Sequence, residues 1–195
     1  MCLAILKPAK VSIPTQNLRN GWIANPDGAG YAYVHKGKVV VKKGYSKLQD
    51  FLKDIEADFK VHKASPFLIH FRIRSMGDKS TGNTHPFPVK GGVMIHNGTI
   101  NGTGATYQTG ESDTCLFAKK FSENLSVDFV MGNKAELTEA LGTWNKLAFL
   151  YDNGQTVIVN ESAGVWREDV WYSNHSFSSM PTAASAYGMH DMYED

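Results

Sequence analysis

Cysteine stands at position 2, directly after the initiator in Met1-Cys2-Leu3-Ala4-Ile5. Removal of Met1 would leave a thiol and a free α-amine on one residue. The amine titrates near ~8, far below a lysine, so much of it can accept a proton at neutral pH. The thiol, near ~8.5, is already a few per cent thiolate, and an adjacent base completes its activation. Nucleophile and base would then be one residue. The alternative for Cys2 is a small core residue in a buried first strand. Arg72 lies inside the apolar run from Pro66 to Arg74, where a guanidinium needs a partner or a ligand unless it faces solvent at a strand edge. His70, His85 and His96 match none of the helical or paired zinc spacings, and Cys115 has no cysteine neighbour. No metal site and no cofactor are expected.

The elements that must position these residues are legible in outline. Leu3 to Leu6 reads as a strand ended by Pro8, with Cys2 at its mouth. Asn25-Pro26-Asp27-Gly28-Ala29-Gly30 is dense in turn formers and leads into a strand from Tyr31 to His35. Lys36-Gly37-Lys38 turns the chain back into Val39-Val40-Val41. Ser46-Lys47-Leu48-Gln49 has the form of a capping box, after which Leu48, Phe51, Leu52, Ile55 and Phe59 recur at helical spacing. Two apolar segments, Pro66 to Arg74 and Gly91 to Ile100, read as strands separated by a polar loop from Ser75 to Lys90. Ser112-Asp113-Thr114 caps a helix carrying Leu116, Phe117 and Phe121, and another helix runs around Ala135 to Leu141. Leu147 to Tyr151, the turn Asp152-Asn153-Gly154 and Thr156 to Val159 form a hairpin, and Val165 to Tyr172 one further strand. From Asn174 the composition turns to Ser, Ala and Met without a period, which predicts one domain over 1–173 and a mobile tail over 174–195. Strands, then helices, then strands again predict an α+β architecture.

Composition narrows the function classes. A chain of 195 residues, 42% hydrophobic with 18 glycines, is long enough for one well-buried domain. A formal net charge of +1 gives no electrostatic reason to expect nucleic acid or an anionic membrane. Two cysteines are too few for a disulfide framework, and no signal peptide or apolar run of spanning length is seen. A reducing, cytoplasmic setting is the expectation.

The order of the polar motifs adds a family. Cys2, Asn25 to Gly30, His70-Phe71-Arg72-Ile73-Arg74-Ser75-Met76-Gly77, Asn83-Thr84-His85-Pro86, His96-Asn97-Gly98 and Ser112-Asp113-Thr114 together resemble a class II glutamine amidotransferase domain of stand-alone type, an N-terminal-nucleophile hydrolase. The resemblance runs from residue 2 to about 120 and implies a four-layer αββα sandwich of two mostly antiparallel sheets. It also implies that Cys2 attacks the side-chain amide of L-glutamine, releasing ammonia and leaving a glutamyl thioester for water to hydrolyse. Asn97 and the backbone N–H of Gly98 match the family's oxyanion hole, although a plain hairpin turn is the other reading of that pair. Arg72 and Asp113 match the clamps for the substrate's α-carboxylate and α-ammonium, and Ser75 retains a hydroxyl for the carboxylate. His85 would orient the loop framing the pocket, while Asn25, Asp27 and Gly28 would bring a tight turn close to the nucleophile.

The chain departs from better-known members at Ile73-Arg74-Ser75-Met76, where an aromatic residue and a second histidine are missing. Arg74, two residues after Arg72, is an unexpected second cation and is expected to face away from the pocket. The resemblance implies ammonia for a separate synthetase or ligase, or simple glutaminase activity. Two alternatives stay open: a related N-terminal-nucleophile amidase acting on another amide, and a catalytically silent domain that binds glutamine or a partner.

Overall fold

A computed structural model of the chain describes residues 2–106 and 108–178. The first strand, β1 (Leu3–Lys7), shows how the sequence makes the architecture. Successive side chains on a strand point to opposite faces, so Leu3 and Ile5 enter one apolar cluster while Ala4 and Leu6 enter another. Both faces are buried, which is why the run is continuously apolar.

β1 lies inside a six-stranded antiparallel sheet with β2 (Ala29–His35), β3 (Lys38–Tyr45), β4 (Phe67–Phe71), β9 (Val165–Arg167) and β10 (Val170–Tyr172), in the order β3-β2-β4-β1-β10-β9. A second antiparallel sheet has the order β5-β6-β7-β8, from β5 (Phe87–Val89), β6 (Gly92–Asn97), β7 (Lys146–Tyr151) and β8 (Thr156–Val159). The sheets stack through Ala4, Ala32 and Leu68 on one side and Val93, Ile95 and Ala148 on the other. Helices α1 (Thr15–Ala24) and α2 (Leu48–Val61) cover the outer face of the first sheet through Leu18, Trp22, Phe51 and Ile55. α3 (Asp113–Phe121), α4 (Val127–Gly132) and α5 (Lys134–Leu141) cover the second through Phe117, Val130 and Leu137. The result is the αββα sandwich. Among the described residues no helix is long and apolar enough to cross a membrane.

Several elements differ from the sequence expectations. α1 was not anticipated, because only Leu18 and Trp22 mark its buried face and Gly21 interrupts it. The Ser46 capping box does not form: α2 begins one residue later, at Leu48, with Lys47 extended in the N-cap position and no side-chain cap. β5 forms inside the segment read as loop, where Phe87 and Val89 bury one face against the helices. The strand expected over Val165 to Tyr172 is a hairpin, turned at Glu168 and Asp169, whose φ values of 51° and 60° are those of a tight two-residue turn.

Of the expected tail, residues 179–195 lie outside the described residues. Asn174 to Ser178 fold back onto the domain, with Phe177 buried and stacked on Tyr172 at 3.7 Å between ring centroids.

Candidate active site

Registry brings the site together. β1 pairs with β4 as Leu3↔Phe71 and Ala4↔His70, so the chain just before β1 lies beside the chain just after β4. Cys2 is thereby set against Ile73: its Sγ donates to the Ile73 carbonyl at 3.3 Å and accepts from the Ile73 N–H at 3.4 Å. The opposite neighbour, β10, delivers Ser173 and Asn174. The Ala4 N–H donates to Ser173 Oγ at 2.9 Å, and Asn174 Nδ2 donates to the Cys2 carbonyl at 2.7 Å. From the second sheet, Asn97 at the end of β6 also donates its amide to that carbonyl.

A small cavity of about 20 Å³ opens beside the thiol. Cys2, Arg72, Ser75, His85, Gly98 and Asp113 all line it, together with Ile73, Met76, His96, Ser112 and Thr114. Arg72 is buried, and its two terminal nitrogens donate to the Asp78 carbonyl at 2.6 Å and the Met76 carbonyl at 2.9 Å. Asp113 opens α3, where Ser112 Oγ caps the Cys115 N–H at 3.2 Å. The Asp113 carboxylate also accepts from the Ile100 N–H at 2.6 Å, which fixes it at the cavity wall. Gly98 has φ of +145°, and a Cβ there would meet Asn145 Oδ1 at 2.3 Å, so both backbone angle and space demand glycine.

Other expected residues take supporting places. Asn97 is fully buried behind the cavity lining, clamping the carbonyl of Cys2. Asn25 ends α1, with Nδ2 donating to the Gly21 carbonyl at 2.9 Å. Asp27 pairs with Lys79 at 2.6 Å and accepts from the Arg74 N–H at 2.8 Å. Gly28 accepts from the Arg72 N–H at 2.8 Å, and the Asp27 N–H donates to the Arg72 carbonyl at 2.9 Å. The 25–28 turn therefore holds the backbone of Arg72 and does not line the cavity. Arg74 is exposed and outside the lining.

Residues that sequence reasoning passed over hold the loop between β4 and β5. Asn83 Nδ2 donates to Asp78 Oδ1 at 2.8 Å and to the Gly110 carbonyl at 2.6 Å, while its Oδ1 accepts from the Ser112 N–H at 2.6 Å. Asn174 was read as tail because no period marks it. A Ser-Asn pair directly after the last apolar run was the available signal.

The electrostatics are those of a dry site. Burial pushes the Cys2 thiol up, against the Ile73 N–H and the Arg72 charge, which favour thiolate; Asp113 adds to the upward shift. Burial holds His70 down at about 3, and holds His85 and His96 below their ordinary value, so all three rings are neutral at pH 7. His96 is satisfied, with Nδ1 against Thr114 Oγ1 and Nε2 against Asn145 Oδ1, both at 2.8 Å. His85 packs against His70 with centroids 3.8 Å apart and ring planes tilted by 46°. Among the described residues, the buried side-chain atoms without a hydrogen-bond partner are His70 Nδ1, both ring nitrogens of His85 and Asn97 Oδ1. Unsatisfied buried polar groups are costly; of these residues His85 lines the cavity and Asn97 holds the Cys2 carbonyl. Among the described residues no group of His, Cys, Asp and Glu is arranged to hold a metal.

No family model matches the sequence, and no curated protein matches it. Solved structures do match. The glutamine phosphoribosylpyrophosphate (PRPP) amidotransferase from B. subtilis, complexed with ADP and GMP, is similar over 88% of this chain with a TM-score of 0.54 and 16% identity. The match spans 41% of that enzyme's length. A glutamine aminotransferase class-II domain protein from Silicibacter pomeroyi is matched over 88% of this chain and 87% of its own, at 19% identity and a TM-score of 0.48. At such identities the likeness is one of fold. The chain has the two-sheet sandwich fold found in N-terminal-nucleophile amidotransferases.

Proposed function

We propose that this chain hydrolyses the side-chain amide of L-glutamine with Cys2 as nucleophile, once cleavage after Met1 has freed the α-amine. The observation that carries the reading is the meeting of a thiol, a buried cation and a buried anion around one cavity. Glutamine differs from other amides by its α-carboxylate and α-ammonium, and Arg72 and Asp113 offer the complementary charges.

In this mechanism the α-amine takes the thiol proton and the thiolate adds to the amide carbon. The tetrahedral oxyanion is held by the Gly98 N–H and by Asn97 Nδ2. Asn97 can leave the Cys2 carbonyl for that task because Asn174 keeps hold of the same oxygen. The ammonium returns its proton to the departing nitrogen, ammonia leaves, and a glutamyl thioester remains. Water, deprotonated by the same amine, cleaves the thioester to glutamate and restores the thiol. The ammonia passes to a separate synthetase or ligase, or to solvent.

A cavity of about 20 Å³ accommodates roughly one water and no amino acid. Substrate entry therefore requires the loop from Ile73 to Asn83 to lift. Arg72 currently spends two donors on the carbonyls of Met76 and Asp78, and an incoming carboxylate would replace them with a charge-assisted pair.

The experiment is ammonia release from glutamine by the purified chain and by its Cys2→Ala variant, with intact mass recorded before and after an electrophilic glutamine analogue. Loss of Met1, one adduct on Cys2 suppressed by free glutamine, and no turnover in the variant are the expected results. Turnover that survives Cys2→Ala would sink the proposal. Equal turnover of N-acetylglutamine would remove the α-ammonium site, and with it the assignment to glutamine.

A further inference from the structure

At the far end of β1 the fold carries a second cavity, of about 390 Å³, within the range of ~300–1,000 Å³ typical of small-molecule sites. Five residues of strand at ~3.3 Å each put it roughly 17 Å from Cys2. Its walls are the turn after β1 and the last turns of α2. Four lysines line it, Lys7, Lys10, Lys60 and Lys63, over an apolar floor that includes Ile13 and Phe59. The walls are joined: Lys10, at φ of 64°, donates its N–H to the Lys63 carbonyl at 2.8 Å. The cavity is thus preformed.

Lys7 is the unusual member. It is only 4% exposed, yet its ammonium has one hydrogen bond, to the Pro8 carbonyl at 3.1 Å. Its Nζ stands 5.3 Å and 5.1 Å from the centroids of Phe59 and Phe67. Among the described residues none of the four lysines forms an ion pair. Three of the four α2 carboxylates have partners other than these lysines: Asp54 accepts from Tyr45 at 2.8 Å, Glu56 from Thr15 Oγ1 at 2.8 Å, and Asp58 binds Tyr31 at 2.6 Å and Lys42 at 2.8 Å. A buried ammonium without a counter-charge is costly, and burial accordingly lowers Lys7 to about 8.

We propose that this cavity binds a phosphate monoester with a planar or apolar organic body, its phosphate meeting Lys7 with Lys10, Lys60 and Lys63 around it and its body lying on Phe59 and Ile13. A dianion matches four cations better than a carboxylate does, and lysine serves phosphate as a point charge. The site stands independently of the chemistry at Cys2.

The test is calorimetric titration of the full chain with phenyl phosphate at pH 8, in two buffers of different ionisation enthalpy. Saturable one-to-one binding with net proton uptake is expected, because an anion beside Lys7 raises its pKa and recharges the fraction that was neutral. Inorganic phosphate, which lacks the apolar body, should bind at least tenfold more weakly. Lys7→Met keeps the buried stem and should abolish proton uptake and weaken binding at least tenfold. Lys60→Gln with Lys63→Gln alters exposed positions only and decides the matter if Lys7→Met does not fold; it too should weaken binding about tenfold. Absence of saturable binding, or binding indifferent to these variants, would overturn the site. Benzoate binding as tightly as phenyl phosphate would overturn its assignment to phosphate.

Discussion

In the proposed reaction Asp113 and Arg72 would discriminate a free amino acid from a peptide amide. Asp113→Asn keeps size and removes charge, and a charge-assisted hydrogen bond contributes ~1.5–3 kcal/mol. The glutamine KM should therefore rise roughly 10- to 100-fold, with a smaller change in kcat, as read from initial rates of ammonia release. An unchanged KM would take Asp113 out of the substrate site. Much of this site was legible residue by residue: Cys2, Arg72, Ser75, His85, Gly98 and Asp113 line one cavity. Asn25, Asp27 and Gly28 do not, because Asn25 and Asp27 direct their side chains to Gly21, Arg74 and Lys79 and the turn holds Arg72 through backbone groups. Asn97 shows a different limit. Its position at a strand end could be read, but not that its amide would rest on the carbonyl of Cys2.

The loop between β4 and β5 is the element on which access depends. Gly77 sits in it at φ of +69°, and a Cβ there would lie 2.7 Å from the backbone of Glu111 and Ser112. Gly77→Ala should destabilise by ~1–3 kcal/mol, through left-handed strain and the clash with the start of α3. Chemical denaturation should show that loss, and protease cleavage within 73–83 should accelerate while β-strand content is retained. A variant as resistant as the parent would contradict the account. Elements with strong periodicity, such as α2 and the β7–β8 hairpin, were readable from apolar spacing alone. α1 was not, since a glycine and a buried asparagine occupy the face that meets the sheet. The β9–β10 hairpin escaped because Glu168-Asp169 lacks the glycine that usually announces such a turn.

Across the whole molecule, His70, His85 and His96 are buried neutral rings, and His70 links the two sheets through Nε2 against the His96 carbonyl at 3.0 Å. Their pKa values are depressed on folding, so the unfolded chain takes up protons first as pH falls. The stability they permit is complete above pH ~6.5 and declines below it, through to about pH 3 for His70. At pH 5.5 the neutral His70 ring should cost on the order of 1 kcal/mol, with the other two acting in the same direction. Urea unfolding between pH 7.5 and 5 measures this, and a flat profile would remove the histidines as the acid-sensitive core. The strand order carries a separate lesson. β1 precedes every other described strand in sequence, yet it sits between β4 and β10, and Asn174, just beyond β10, holds the Cys2 carbonyl. The surroundings of Cys2 are therefore complete only when the two strands farthest apart along the described chain have come to lie side by side.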